Sequence, residues 1–223
     1  MLTITDLVLE VPGRRVLDGV DLTVAAGEVV AVLGPSGAGK TSLLNCAAGV
    51  VAPTSGRVEV DGDELTRLSG SKRSALRLSR MGIVFQFAEL LPELTAVQNV
   101  ELPLRLLGHS RIDARERALI WLDRLGVAER GPALPEALSG GELQRIAIAR
   151  AMVHDPVLVI ADEPTGMLDA ATTREVVDVL VTTARGRGTA LLVATHDAEV
   201  AGSADRVLRL TEAALASGQD GAR

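Results

Sequence analysis

Tyrosine is absent from this 223-residue chain, and aromatic side chains amount to 1%: Phe85, Phe87 and Trp121. No ring precedes residue 85. Cysteine occurs once, at Cys46, which excludes an internal disulfide and fits a reducing compartment. Set among helix-patterned residues, Cys46 reads as a small buried hydrophobe and not as a reactive thiol. No apolar run approaches the roughly 18–20 residues that a membrane span requires. Residues 1–10 alternate apolar and polar with acids among them, the pattern of a strand and not of a targeting peptide. The expectation is a cytosolic chain, held elsewhere only by a partner. Basic charge is also short: the net charge is -6, which argues against a broad electrostatic surface for nucleic acid.

What the chain does have is 47% hydrophobic and 23% charged residues, ample for a packed core. Its length suits one large domain or a domain with an inserted subdomain. The stretch Gly34-Pro35-Ser36-Gly37-Ala38-Gly39-Lys40-Thr41 satisfies the pattern G-x-x-x-x-G-K-[ST] at every fixed position. Before it runs Val29-Val30-Ala31-Val32-Leu33, an uninterrupted apolar run of the buried-strand kind. After it, Leu43, Leu44, Ala47 and Ala48 recur at helical spacing until Gly49. A Gly-rich turn of no special purpose is the plain alternative. The lysine, the threonine and both flanks favour a phosphate cradle, in which backbone N–H groups and the helix start converge on phosphate oxygens. Lys40 would then reach the β- and γ-phosphates, Thr41 would hold Mg²⁺, and Ser42 closes the cradle in the helix.

Along the chain, Leu2, Ile4 and Val8 to Val11 suggest a first strand, and Val20, Leu22 and Val24 a half-buried second. Arg57-Val58-Glu59-Val60 alternates and meets the tight-turn pair Asp61-Gly62. An antiparallel β layer beside the nucleotide core is expected here. From about residue 88 to 154 the pattern turns helical, with Ala114, Ala118, Trp121, Leu122 and Leu125 on one face and Trp121 in the core. Pro132 and Pro135 mark a loop, and a helix follows over 140–153. Residues 157–161 and 190–194 read as buried strands. Val176, Val177, Leu180, Val181 and Ala184 line a helix between them, and residues 207–210 read as a last strand. Buried strands alternating with helices imply an α/β, P-loop fold: a mainly parallel sheet covered on both faces. The expected organisation is one domain, with a nucleotide core at 1–87 and 155–210, an inserted helical subdomain at 88–154, and a frayed tail at 211–223.

Two further elements narrow the chemistry. Val157-Leu158-Val159-Ile160-Ala161 ends in Asp162-Glu163, so Asp162 can reach a metal held by Thr41. Glu163, one place further, stands where an attacking water needs a base. Solvated acids ending a strand are the ordinary alternative. The run Leu138-Ser139-Gly140-Gly141-Glu142-Leu143-Gln144-Arg145 reads first as a capping box, Ser139 with Glu142. The same helix start also offers N–H groups, a hydroxyl and two glycines to a phosphate.

With these three elements together, the sequence resembles the ABC-type ATPases over about residues 2–210; their signature is LSGGQ or, as here, LSGGE. The resemblance implies two nucleotide domains paired head to tail as a homodimer, each phosphate loop facing the other's signature. Ser139 and Gly141, with Gly140 between them, would contact the γ-phosphate bound by the partner. Gln86 matches the family's glutamine that senses Mg²⁺ and the attacking water. Leu168-Asp169 begins the inter-subunit loop, and His196 matches the switch histidine on the γ-phosphate. Glu163-Pro164-Thr165-Gly166-Met167-Leu168-Asp169, and the run from Phe85 to Pro92, resemble the bacterial lipoprotein-releasing, macrolide-export and cell-division group. Met167 departs from the usual Asn, which bears on the inter-subunit contact, and Leu143 from the commoner Gln.

The implied function is an ATP-hydrolysing subunit, cytoplasmic and peripheral on the inner face of the membrane, driving a permease that sets substrate specificity. A cell-division-type regulatory ATPase is the alternative within the group. A soluble ATPase acting on nucleic acid or ribosomes usually carries two nucleotide domains or a long coiled-coil insertion, and neither is seen. A binding module without turnover finds no support, since Glu163, His196 and Gln86 are all present. The permease is expected near Phe87, Leu90, Leu91 and Pro92. Val11 falls where the family stacks adenine on a ring. Without a ring, ATP and GTP are expected to be poorly discriminated, with Arg14 or Arg15 laying a guanidinium plane on the base.

Overall fold

The structure, a computed structural model, describes residues 1–210. The expected frayed tail, 211–223, lies outside the described residues. Five parallel strands form the centre: β3 (Val29–Leu33), β6 (Met81–Val84), β7 (Leu158–Asp162), β8 (Ala190–Ala194) and β9 (Arg206–Arg209). Their order is β6-β7-β8-β3-β9. Beside them, β1 (Leu2–Val11), β2 (Arg14–Val24), β4 (Ser55–Val60) and β5 (Asp63–Glu64) make the expected antiparallel layer, in the order β2-β1-β4-β5.

Strand periodicity divides the core in two. Val30, Val32, Ile160 and Leu192 face the antiparallel layer and pack with Leu2, Ile4, Leu7 and Val58. Their neighbours Val29, Ala31, Val159, Ala161, Leu191 and Val193 point the other way, into a core shared with the helices. Successive side chains of a strand leave opposite faces, so an all-apolar strand demands cover on both. That cover is α1 (Lys40–Ala47) on the first side and, on the second, α3 (Ala96–Leu106), α4 (Arg111–Arg124), α5 (Gly140–Met152) and α6 (Ala170–Arg187).

Helices α3 to α6 begin where side-chain caps satisfy first-turn N–H groups. Thr95 with Gln98 and Ser139 with Glu142 form capping boxes, Ser110 caps α4, and Asp169 accepts from Ala171 and Thr172. Trp121 is in the core as expected, with the Arg124 guanidinium 5.0 Å and that of Arg187 5.9 Å from its ring centre. Cys46 is buried, and desolvation pushes its thiol up to about 11, which keeps it an inert hydrophobe.

The helix α2 (Gly70–Arg80) and the edge strand β6 lie outside the sequence expectations. Leu76 alone of α2 is buried, so the apolar face of this Arg- and Ser-rich helix is narrow. In β6, Gly82 lets the strand approach α5 closely: a Cβ at that position would stand 2.1 Å from the Ala151 carbonyl oxygen. Gly82→Ala must push strand and helix apart, and overpacking of this kind costs about 1–3 kcal/mol. Urea unfolding is expected to show a loss of that size; an unchanged midpoint would contradict the close approach.

Candidate functional site

A cleft of about 500 Å³ opens at the C-terminal edge of the parallel sheet. Its walls bring together most of the residues singled out from sequence: Gly34, Pro35, Ser36, Gly37, Gly39, Lys40, Thr41, Ser42, Gln86, Asp162, Glu163 and His196. Ala38 is buried behind the loop and does not line it. The volume lies in the range of small-ligand sites. Gly39 caps α1 with φ 92, and a Cβ there would press on the Val16 carbonyl at 3.0 Å. Only glycine takes that left-handed turn at no steric cost. Lys40 folds back over the loop, its Nζ donating to the carbonyls of Gly34 at 2.7 Å and Pro35 at 3.1 Å.

Across the cleft, Thr41 Oγ1 donates to Asp162 Oδ2 at 2.7 Å. Burial pushes the Asp162 carboxyl up, the Thr41 bond working against it. Glu163 follows with φ 47, a left-handed backbone that non-glycine residues take at a cost of about 1–3 kcal/mol. Its N–H bonds the Ala194 carbonyl at 2.9 Å, which fixes the turn. Glu163 Oε2 receives His196 Nδ1 at 2.9 Å and the His196 N–H at 3.4 Å. The Glu163 side chain is 13% exposed and that of His196 76%, so the pair has an inner acid and an outer imidazole. The bond to Glu163, then its charge, raises the pKa of His196.

Ser139, Gly140 and Gly141 stand elsewhere, at the start of α5, and do not line this cleft. The Ser139 hydroxyl donates to Glu142 Oε2 at 2.9 Å, and Arg130 Nε donates to Glu142 Oε1 at 2.6 Å. The Ser139 N–H and hydroxyl, with Arg130, lower the Glu142 carboxyl to about 2. Met167 and Leu168 pack over Gly140 and Gly141 in the same chain. Met167 therefore joins the turn after Glu163 to the α5 start within one subunit.

Neither of the phenylalanines nor Trp121 lines the cleft. Arg14 and Val16 line the cleft beside the phosphate loop; Val11, the expected base position, pairs across the hairpin with Arg14 and does not line it. Arg15 is held by Glu10 at 2.9 Å and Asp18 at 2.7 Å, so of the two arginines only Arg14 reaches the site. Among the expected docking residues, Phe87 (69% exposed), Leu91 and Pro92 are open, whereas Leu90 packs against the core.

Residues 17–166 match the family described as ABC transporter. The chain belongs to the ABC transporter family. As an ATPase of that family it binds and hydrolyses ATP, as the energy-supplying subunit of a transporter. Among curated relatives it is similar to the lipoprotein-releasing system ATP-binding protein LolD of Ruegeria pomeroyi, 47% identical over 209 residues, 92% of this chain and 91% of the relative. LolD of Legionella pneumophila (strain Paris) is 45% identical over 201 residues, covering 90% and 88%. Among solved structures, the dimeric ABC transporter cassette MJ0796 superposes with a TM-score of 0.91 at 34% identity, covering 95% of each chain. A second form of that cassette, a post-hydrolysis state bound to ADP and Pi, gives 0.90 at 33%.

The Glu163–His196 bond makes a pH prediction. With the folded-state value of His196 raised, the bond's stabilising contribution is whole below the ordinary histidine range and fades as pH rises through the raised value. An NMR titration of His196 is expected to fall above the ordinary histidine range, and in Glu163→Gln to drop toward it. Equal titration in both proteins would remove Glu163 as the cause.

Proposed function

We propose that two copies of this chain close head to tail on MgATP and that the closure drives a membrane permease. The observation that carries this is the separation of the phosphate loop from residues 139–141: one subunit's cleft has no signature residues in its wall. At the start of α5 the Gly140 and Gly141 N–H groups lack intrahelical acceptors, as first-turn groups do, and suit a phosphate oxygen brought by a second subunit. Residues 34–42 would cradle the phosphates, with Lys40 exchanging loop carbonyls for phosphate oxygens.

The residues present fit Mg²⁺. Thr41 and Asp162 offer hard oxygens 2.7 Å apart and Gln86 lines the same cleft. No cluster of three or more His, Cys, Asp or Glu able to hold a metal occurs among the described residues. A site so poor in protein ligands suits Mg²⁺, which keeps waters and takes phosphate oxygens as partners. The ion would offset charge on the phosphates. Glu163 would accept the proton of the attacking water, in the orientation its left-handed turn and His196 impose. His196, the exposed member of the pair, would turn to the γ-phosphate on closure.

The permease would dock along a groove of about 370 Å³ that shares Thr41, Gln86 and Asp162 with the cleft and has Phe87 on its rim. Such docking would hold the chain on the cytoplasmic face of the cell membrane. The relatives' names and the run from Glu163 to Asp169 favour the lipoprotein-releasing group. Leu90, being packed inward, is left out of the docking surface.

Glu163→Gln is expected to bind ATP, lose about 10²–10⁴-fold in hydrolysis and accumulate as a dimer in ATP. Light scattering with and without ATP reads this, and a monomer in saturating ATP would contradict the proposal. Mixed Lys40→Ala and Ser139→Ala subunits should recover one composite site of the two. For the permease, Phe87→Asp should no longer co-purify with membranes carrying it while still dimerising in ATP as Glu163→Gln, Phe87→Asp. Native membrane binding by that variant would place the dock elsewhere.

A further inference from the structure

The helix that begins with Ser139, Gly140 and Gly141 also grips the Gln86 segment from behind. Gln144 Nε2 donates to the Phe85 carbonyl at 3.2 Å. Two turns on, Arg150 donates from Nη1 to the Glu89 carbonyl and from Nη2 to the Ala88 carbonyl, each at 2.7 Å. Gln86 and Phe87 thus lie between two anchors on one helix.

Three features mark these as more than packing contacts. Ala88 and Glu89 both have left-handed backbones, φ 55 and φ 48. Consecutive non-glycine residues keep such conformations only where their surroundings hold them, and the Arg150 fork holds both. Arg150 itself is a largely buried cation with no ion pair among the described residues; burial lowers its pKa, and the two carbonyls are its acceptors. Gln144 is 1% exposed, and its Oε1 is buried without a hydrogen-bond partner among the described residues. An amide buried with its acceptor unmatched costs more than a hydrocarbon of the same shape unless its donor is needed. Its donor goes to the residue just before Gln86.

We propose that Gln144 and Arg150 are positioning residues that make α5 and residues 85–89 one rigid unit. The inference rests on the reading above, in which the first turn of α5 meets the nucleotide of the other subunit. Given that, arrival of the α5 start at one composite site sets Gln86 at the other, and the two sites communicate through a helix only 13 residues long. The carriers are hydrogen bonds to backbone carbonyls, so the coupling does not depend on the identity of the side chains at 85, 88 and 89.

The test uses Arg150→Met, Arg150→Lys and Gln144→Leu in the full chain. Arg150→Met keeps the volume and removes the donors. Its kcat is expected to fall by up to about 10²-fold, the scale of an ångström-sized misplacement. KM for ATP should hold, since the phosphate loop is untouched. Arg150→Lys, which keeps a cation donor, should recover part of the loss, and Gln144→Leu should fall between. Hydrogen exchange should quicken at residues 86–90 in Arg150→Met while α3 and α4 keep native protection. ATP should slow exchange at 86–90 in the Glu163→Gln dimer and not in the Glu163→Gln, Arg150→Met dimer. Native kcat, or native exchange at 86–90, in folded Arg150→Met would overturn the proposal. So would general loosening of the helical region in Arg150→Lys and Gln144→Leu, which would make both residues supports of the fold. Failure of the Glu163→Gln chain to dimerise would strike the two-subunit reading instead, and exchange in the monomer would still decide the clamp.

Discussion

One row of backbone pairing holds the site together. Val32 of β3 pairs with Ala194 of β8, and Ala194 pairs with Asp162 of β7. Just beyond that row the three strands release Gly34, His196 and Glu163 at the same edge. Because side chains alternate along a strand, a slip of one residue in either pairing would turn Asp162 away from Thr41 and send apolar side chains to the wrong layer. The register is protected by burial on both faces, where Val30, Val32 and Leu192 fit one core and Ala31, Ala161 and Val193 the other. Catalytic geometry and core packing are therefore one specification.

The arrangement follows the general habit of parallel α/β sheets, which bind ligands beyond the carboxyl ends of their strands. Two further devices are present, one at this edge and one at the start of α5. The turn at Glu163 is bent by a left-handed residue tied to Ala194, so the acid is oriented by the neighbouring strand and not by a long side-chain search. The start of α5 carries an ionised carboxylate, Glu142, which occupies the Ser139 hydroxyl and is itself neutralised by Arg130. A helix start with its own anion in place is held straight and capped before any phosphate reaches it.

Much of this was legible in the chain because its signals are local. The phosphate loop, the apolar run ending in Asp162 and Glu163, and the Ser139 box are each contained in about a dozen residues or fewer, with charge, glycine and periodicity in plain order. The unread parts are those decided at a distance. Helix α2 is mostly polar and buries only Leu76, and β6 is four residues long with Gly82 inside it, so neither stands out as an apolar run. Val11 stood at the sequence position of a base surface, yet the hairpin brings Arg14 and Val16 to the wall. Leu90 shares the apolar look of Phe87 and Leu91 but faces the core. Gln144 and Arg150 look like ordinary polar residues of an amphipathic helix; their partners are 59 to 62 residues away in sequence.

The poverty of rings has an optical consequence. With no tyrosine and a single tryptophan, nearly all the intrinsic fluorescence comes from Trp121. That ring is sunk in α4, under one guanidinium from its own helix, Arg124, and another, Arg187, from the end of α6. Two positive charges at unequal distances shift the emission of an indole, and only one of them belongs to the helix that carries it. The chain thus contains an unlabelled spectroscopic ruler between its helical region and its nucleotide core, readable in the native protein without any added dye.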